Sequence, residues 1–195
     1  MEASEGGELK VVQTLLDAGA DINTRDSTQR SALMLAIEHG QFEIVKTLLK
    51  KGCEAEMKNA KDMSPLMLAV HLDDKETVKA LMNHGVSLDI QDKKGKTALS
   101  RAAREGYTEI GRMLVEGGAD VDLTRDRGPT PLYRAAFGRH EEIARVLLER
   151  GADLDKAIRY GSPRRHAQDA VRFLRELDDD RYSAFRASER RSRAK

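Results

Sequence analysis

Glycine recurs along this chain with a period of 33 residues, and this period limits the possible folds more than any other feature. The glycines are Gly19, Gly52, Gly85, Gly118 and Gly151. Leucine follows the same step at Leu33, Leu66, Leu99 and Leu132. Interleaved series that share one period without slippage indicate tandem copies of one structural unit. We therefore expect a repeat protein rather than a single closed globule.

Residues 92–124 show how one unit should fold. Gly95 permits a tight turn, and Thr97 then stands where a hydroxyl can accept from the free amides at the start of a helix. We predict a first helix over Ala98–Glu105 and a second over roughly Thr108–Glu116, because apolar residues follow helical spacing in both. Glycines follow each helix and suit left-handed caps. The pattern predicts an all-α fold of stacked helix-turn-helix units joined by hairpin-like turns.

The hydroxyl N-cap repeats in the other three units, at Ser31, Ser64 and Thr130. At the turn, however, Gln29 and Asp62 replace the glycine. Because left-handed backbone is unfavourable for residues with a Cβ, we expect these two turns to be less regular.

The ankyrin repeat is the family that this unit resembles. The matching segments are SALMLAIEHG, SPLMLAVHLD, TALSRAAREG and TPLYRAAFGR, with GADIN, GCEAE, GVSLD, GADVD and GADLD. The resemblance implies an ankyrin-repeat solenoid over residues 1–157. It divides this array into a partial repeat (1–25) and full repeats (26–58, 59–91, 92–124 and 125–157). Beyond it the period breaks, so we predict degenerate capping helices (158–180) and a basic tail (181–195) that is too polar to pack and is disordered.

The resemblance also implies where a partner binds. Recognition is expected on the concave face, which the turns and the first helices form. The predicted contact residues are Arg30, Glu38, His39, Lys61, Met63, His71, Leu72, Lys93, Lys94, Lys96, Arg104, Glu105, Arg127, Tyr133 and Phe137. The resemblance thus predicts a non-enzymatic adaptor or regulator that binds another protein.

Two kinds of side chain stand out among these contacts. The apolar ones have no obvious core to fill, so they are candidate binding anchors, or else they fill gaps between neighbouring helices; they are Met63, Leu72, Tyr133 and Phe137. The basic ones favour an acidic segment in the partner; they include Lys93, Lys94, Lys96 and Arg104.

Composition argues against other functions. The 34 basic and 33 acidic residues leave a net charge of +1, so nucleic-acid binding is not expected. No apolar run reaches the roughly 18–20 residues that a membrane-spanning helix needs. The five histidines have no metal-ligand spacing, and no glycine-rich phosphate-binding motif occurs. We expect no catalysis, cofactor or metal.

Cys53 is the one cysteine, so an internal disulfide cannot form and a reducing compartment is indicated. We expect the protein in the cytoplasm, the nucleus or both. Three other units have alanine at this position, which favours a buried filler over a nucleophile.

An alternative function is a structural or targeting subunit. Its N-terminal edge, where the first unit lacks half of its first helix, would dock on a larger assembly. The basic tail, with RRSR at 190–193, would contact nucleic acid or an anionic surface. A truncated gene model or an excised fragment is the other explanation of this edge. We expect a monomer unless the edge self-associates.

Asn23 is a candidate modification site. Leu15 lies eight residues before it, which resembles the context in which ankyrin asparagines are hydroxylated. The alternative is an amide that only hydrogen-bonds within the loop.

Overall fold

Helices in pairs dominate the computed structural model, which describes residues 1–125, 128–161 and 168–177. The helices are α1 (Glu2–Glu5), α2 (Leu9–Asp17), α3 (Ala32–Glu38), α4 (Phe42–Lys50), α5 (Pro65–His71), α6 (Lys75–Asn83), α7 (Ala98–Glu105), α8 (Thr108–Glu116), α9 (Pro131–Phe137), α10 (Glu141–Glu149) and α11 (Leu154–Gly161). Residues 168–177 are also helical. Both helices predicted in the unit 92–124 are confirmed, as α7 and α8.

The pairs stack in the order of the chain and form two layers. One layer contains the first helices, in which α1, α3, α5, α7, α9 and α11 each contact the next. The other contains the second helices α2, α4, α6, α8 and α10, which also contact in sequence. This is the all-α repeat solenoid that the period predicts.

Hydroxyl side chains begin the first helices α3, α5, α7 and α9. Each accepts from the backbone N–H three residues later, at 3.0–3.3 Å. The four caps are Ser31, Ser64, Thr97 and Thr130. Because such a bond satisfies an amide with no partner within the helix, each cap is worth about 1 kcal/mol.

Apolar residues from both layers form one continuous buried cluster. The repeated leucines Leu33, Leu66, Leu99 and Leu132 are all buried within it. Full burial of one such side chain stabilises the fold by about 1.5–3 kcal/mol. Alanines 102 and 103 of α7 are also buried, and their small size lets neighbouring first helices approach closely.

The turns before the first helices are more regular than predicted. Gln29 and Asp62 adopt left-handed backbone with φ of 62° and 57°, close to the 69° of Gly95. In all three turns this residue donates its N–H to the carbonyl three positions earlier, at 2.8–2.9 Å. The expectation that Gln29 and Asp62 disturb their turns is therefore wrong.

The side chain that opens each turn explains this regularity. Asp26, Asn59 and Asp92 each use Oδ1 to accept two backbone N–H groups, from the second and fourth following residues, at 2.8–3.1 Å. These bonds hold the loop in shape, so the strained φ at the fourth position is tolerated without glycine.

At the C-terminal end, α11 packs against α9 and so extends the layer of first helices. The predicted boundary after residue 157 lies inside this helix. The predicted tail 181–195, and residues 162–167 and 178–180 of the predicted capping segment, lie outside the described residues. Among the described helices, none combines the length and apolar character required to cross a bilayer.

Candidate protein-binding surface

The turns and the exposed ends of the first helices meet on one surface, which we call the turn face. It consists of the turns 26–30, 59–63 and 92–96, together with residues 38–39, 71–72, 104–105 and 137–138 at the ends of α3, α5, α7 and α9. Arg30 in the first turn contacts Glu38 at the end of α3, with Nη1 and Oε2 2.7 Å apart. The structure thus brings a turn residue into contact with the end of the helix that follows it.

Neighbouring turns are hydrogen-bonded to one another. The backbone N–H of Ala60 donates to the carbonyl of Thr28 at 3.1 Å. Lys93 Nζ donates to the carbonyl of Ala60 at 2.8 Å, and Arg125 Nη1 donates to the carbonyl of Lys93 at 2.9 Å. The turns therefore form one linked strip along the array.

Two of the four predicted apolar anchors are exposed on the turn face. The exposed fraction is 46% for Leu72 and 62% for Phe137. Met63 is half-buried and packs against the core. Because exposed apolar groups gain most when a partner covers them, Leu72 and Phe137 are the stronger candidates.

The expectation that Tyr133 is an exposed anchor is wrong. Its side chain is only 6% exposed, because the third position of α9 points into the core. The ring lies edge-on to Tyr160 of α11, with centroids 4.6 Å apart. The alternative, that such a residue fills a gap between neighbouring helices, describes Tyr133 correctly.

Arg30 and Glu38 are occupied by an internal network. Arg30 also pairs with Asp26, with Nε and Oδ2 2.8 Å apart. Burial opposes ionisation of Asp26, but hydrogen bonds from Arg30 and Thr28 outweigh it and hold the pKa of this carboxyl below its usual value. Since their charges already have partners, Arg30 and Glu38 are poorer candidates for contact with another protein.

The other charged candidates are more accessible. Lys61, His71, Lys93 and Lys94 are exposed, as are His39, Arg104 and Glu105, which have nearby charges. His39 Nε2 lies 3.6 Å from Glu5 Oε1, and Arg104 Nε lies 3.6 Å from Glu105 Oε1. Both separations exceed hydrogen-bond distance. Arg127, also predicted as a contact, lies outside the described residues.

Lys96 marks a concentration of positive charge that sequence reasoning missed in part. Burial lowers its pKa, and so do the nearby charges of Arg134, Arg104 and Arg101, while Asp92 raises it. Arg101 and Arg134 were not predicted as contacts. The sequence does show an arginine in place of a leucine here, because the equivalent positions in α3 and α5 are the buried Leu35 and Leu68.

Asn23 takes part in a ladder of bonds between repeats. Its Oδ1 accepts from the backbone N–H of Glu54 at 2.8 Å, and its Nδ2 donates to Glu54 Oε1 at 3.3 Å. Acidic side chains accept in the same way one, two and three repeats later. Glu56, Asp89 and Asp122 accept from the backbone N–H groups of Ser87, Asp120 and Asp153, respectively. Hydrogen bonding of the loop therefore accounts for the position, and hydroxylation of Asn23 stays a prediction.

Cys53 is 6% exposed, and burial raises the pKa of its thiol to about 11. A neutral, buried thiol is a poor nucleophile, which agrees with its interpretation as a filler. Within the described ranges, no group of three or more histidine, cysteine, aspartate or glutamate side chains could hold a metal ion.

Comparison with protein families finds one matching model, described as ankyrin repeats in three copies. Three overlapping matches cover residues 1–92, 33–125 and 66–158, which together exceed half of the chain. A comparison with curated proteins finds no match.

Proposed function

Because this chain belongs to the ankyrin-repeat family, we propose that it is an adaptor or regulator that binds another protein through its turn face. Ankyrin repeats are generally protein–protein interaction modules and are typically not enzymes. The turn face contains the turns and the first-helix ends to which the family resemblance assigns recognition.

The exposure of Leu72 and Phe137 carries this proposal. The structure describes four large apolar side chains as exposed: Val11, Leu15, Leu72 and Phe137. Two of them lie on the turn face, and the other two lie on the second helix α2. Apolar side chains held on a rigid surface and surrounded by polar groups are typical binding anchors.

The charges around these anchors support an acidic partner segment. Lys93, Lys94 and Arg104 are exposed between Leu72 and Phe137 along the array. A partner with carboxylates opposite these groups would associate faster and in a defined orientation. The alternative role of the basic tail rests on residues 181–195, which lie outside the described part of the chain.

The four exposed apolar residues provide a matched test. Affinity capture from a cell extract, with peptide identification, compares three proteins. They are the intact chain, a Leu72→Ser/Phe137→Ser variant and a Val11→Ser/Leu15→Ser variant. We expect Leu72→Ser/Phe137→Ser to lose the main captured partner and Val11→Ser/Leu15→Ser to keep it. All three should melt at similar temperatures, since surface substitutions change stability by only about 0.5 kcal/mol.

The reverse result would contradict the proposal. If Val11→Ser/Leu15→Ser loses the partner and Leu72→Ser/Phe137→Ser keeps it, docking through the N-terminal edge is the better description. Capture of the same proteins by all three forms would exclude both apolar pairs as anchors.

A further inference from the structure

The first full repeat (26–58) and the third full repeat (92–124) carry different charges at two equivalent positions of the turn face. The first full repeat shows which contact these positions can form. In the first repeat these positions carry Arg30 and Glu38, which form an ion pair at 2.7 Å. In the third repeat they carry Lys96 and Arg104. Two cations stand where the first repeat has a cation and an anion, so the third repeat lacks the carboxylate that neutralises this pair of positions.

Two further cations enlarge this charge imbalance. Arg101 in α7 and Arg134 in α9 occupy the positions of the buried Leu35 and Leu68. The Nε atoms of both arginines are buried and have no hydrogen-bond partner among the described residues. A buried donor without a partner destabilises the protein. The described part of the protein therefore leaves both guanidinium groups without full hydrogen bonding.

The acidic groups nearby do not balance these cations. Asp92 lies closest, but Oδ1 is used by the turn, and Oδ2 lies 3.7 Å from Arg101 Nη2, beyond hydrogen-bond distance. Glu105 lies 3.6 Å from Arg104 at the edge of the cluster. Burial lowers the pKa of Arg134, as do the charges of Arg104 and Arg101, against raising contributions from Tyr160 and Asp92. Two carboxylates thus face four cations.

We propose that Lys96, Arg101, Arg104 and Arg134 form a recognition site for a carboxylate side chain of an acidic partner segment. The proposal rests on the proposed function and specifies the chemistry of its partner. A planar guanidinium binds a carboxylate through two parallel hydrogen bonds, and the arginine side chain is preorganised for this. Glu38 supplies the precedent, because its carboxylate occupies the place equivalent to Arg104 and binds the cation equivalent to Lys96.

The chain itself suggests the variant that tests this site. Arg101→Leu/Arg134→Leu introduces the residue found at these positions in the first two full repeats, so the helices should still pack. The control Lys79→Gln/Arg112→Gln removes two exposed charges from the second helices α6 and α8. Should the leucine variant fail to fold, Lys96→Gln/Arg104→Gln replaces it, since Arg104 is exposed and Lys96 half-buried.

Fluorescence anisotropy of the full chain with labelled synthetic peptides measures binding. The probe contains alternating glycine and glutamate, and matched peptides have glutamine or phosphoserine in place of glutamate. At low ionic strength we expect the glutamate peptide to bind, the glutamine peptide to fail, and Arg101→Leu/Arg134→Leu to weaken binding by about tenfold or more. The control variant should bind within about twofold of the original chain.

Three results would overturn the assignment: equal binding of the glutamine peptide, unchanged affinity of the leucine variant, or binding of the phosphoserine peptide alone. The experiments distinguish failure of the carboxylate site from failure of the proposed function. If no acidic peptide binds but Leu72→Ser/Phe137→Ser still loses the captured partner, the turn face remains the binding surface and only the carboxylate site is wrong.

Discussion

At the scale of single residues, Cys53 illustrates how the repeat sets the environment of a side chain. It follows the repeat glycine, where Ala20, Ala119 and Ala152 stand in other units. The position is buried, so a slightly larger, weakly polar thiol is accepted and kept neutral. The same burial makes the stability of the fold sensitive to alkaline pH, because the folded state disfavours the thiolate.

We predict that Cys53 makes the fold less stable at high pH. The folded thiol has a pKa of about 11, whereas an unfolded cysteine titrates near 8.5. Deprotonation therefore favours the unfolded state, and the thiol's contribution is present below about pH 8.5 and lost as the pH rises towards 11. Thermal melting of the original chain and of Cys53→Ala between neutral pH and pH 11 measures this.

Cys53→Ala is the matched control, because alanine occurs at this position elsewhere in the array. The variant should show a smaller fall in melting temperature over that pH range. Parallel pH profiles for the two proteins would mean that the thiol does not titrate differently on folding.

At the scale of elements, the helices were easier to predict than the turns. The bounds of α7 and α8 follow from the hydroxyl cap, the apolar spacing and the terminal glycines, which act locally. The regularity of the turns at Gln29 and Asp62 depends on the side chains of Asp26 and Asn59, three residues earlier. Residue-by-residue preference for glycine could not reveal that compensation.

The candidate surface was predictable in outline and not in detail. The family resemblance placed Leu72 and Phe137 on the binding face, and the structure shows both side chains exposed. The resemblance could not show that α11 lies against Tyr133 and buries it, because the period of 33 breaks there. The replacement of Leu35 and Leu68 by Arg101 and Arg134 is visible in the sequence, but the burial of both Nε atoms without a hydrogen-bond partner among the described residues is not.

We predict that Asp92→Asn keeps the third turn intact and strengthens binding of the acidic peptide. Asn59 shows that an amide oxygen accepts the same two backbone N–H groups. The substitution also removes a carboxylate next to Arg101, so an incoming glutamate meets less repulsion. Unfolding and anisotropy measurements should show a stability change below about 1 kcal/mol and severalfold tighter binding.

Asp92→Ala is the control for this prediction. It removes the acceptor as well as the charge, leaving two turn amides without their partner, and should cost about 1–3 kcal/mol. Equal destabilisation by the asparagine and alanine variants would show that charge, rather than hydrogen bonding, holds the turn.

At the scale of the whole molecule, stability depends on contacts between neighbouring repeats. One such contact is formed by His140, whose Nε2 donates to the carbonyl of Arg104 at 2.9 Å. The ring fits against the preceding repeat because Gly106 has no side chain; a Cβ there would lie 2.5 Å from Nδ1. His140 therefore couples the third and fourth repeats.

We predict that His140→Ala weakens this coupling without unfolding either repeat alone. Loss of the hydrogen bond and ring contacts should cost about 1–2 kcal/mol. Amide hydrogen exchange should then increase in α9 and α10 more than in α3 and α4. His84→Ala, which changes an exposed histidine at the end of α6, should leave exchange unchanged. A uniform increase over all helices would argue against local coupling.

The hydrogen bonds that join successive turns, from Thr28 through Ala60 and Lys93 to Arg125, have a consequence for the ligand. They fix the distances between contact positions, so single loops cannot move to fit a partner whose groups are irregularly spaced. A segment lying across the repeats must present its own groups at matching intervals. Inserting one residue between an acidic and an apolar group of the partner should therefore impair binding as much as deleting either group.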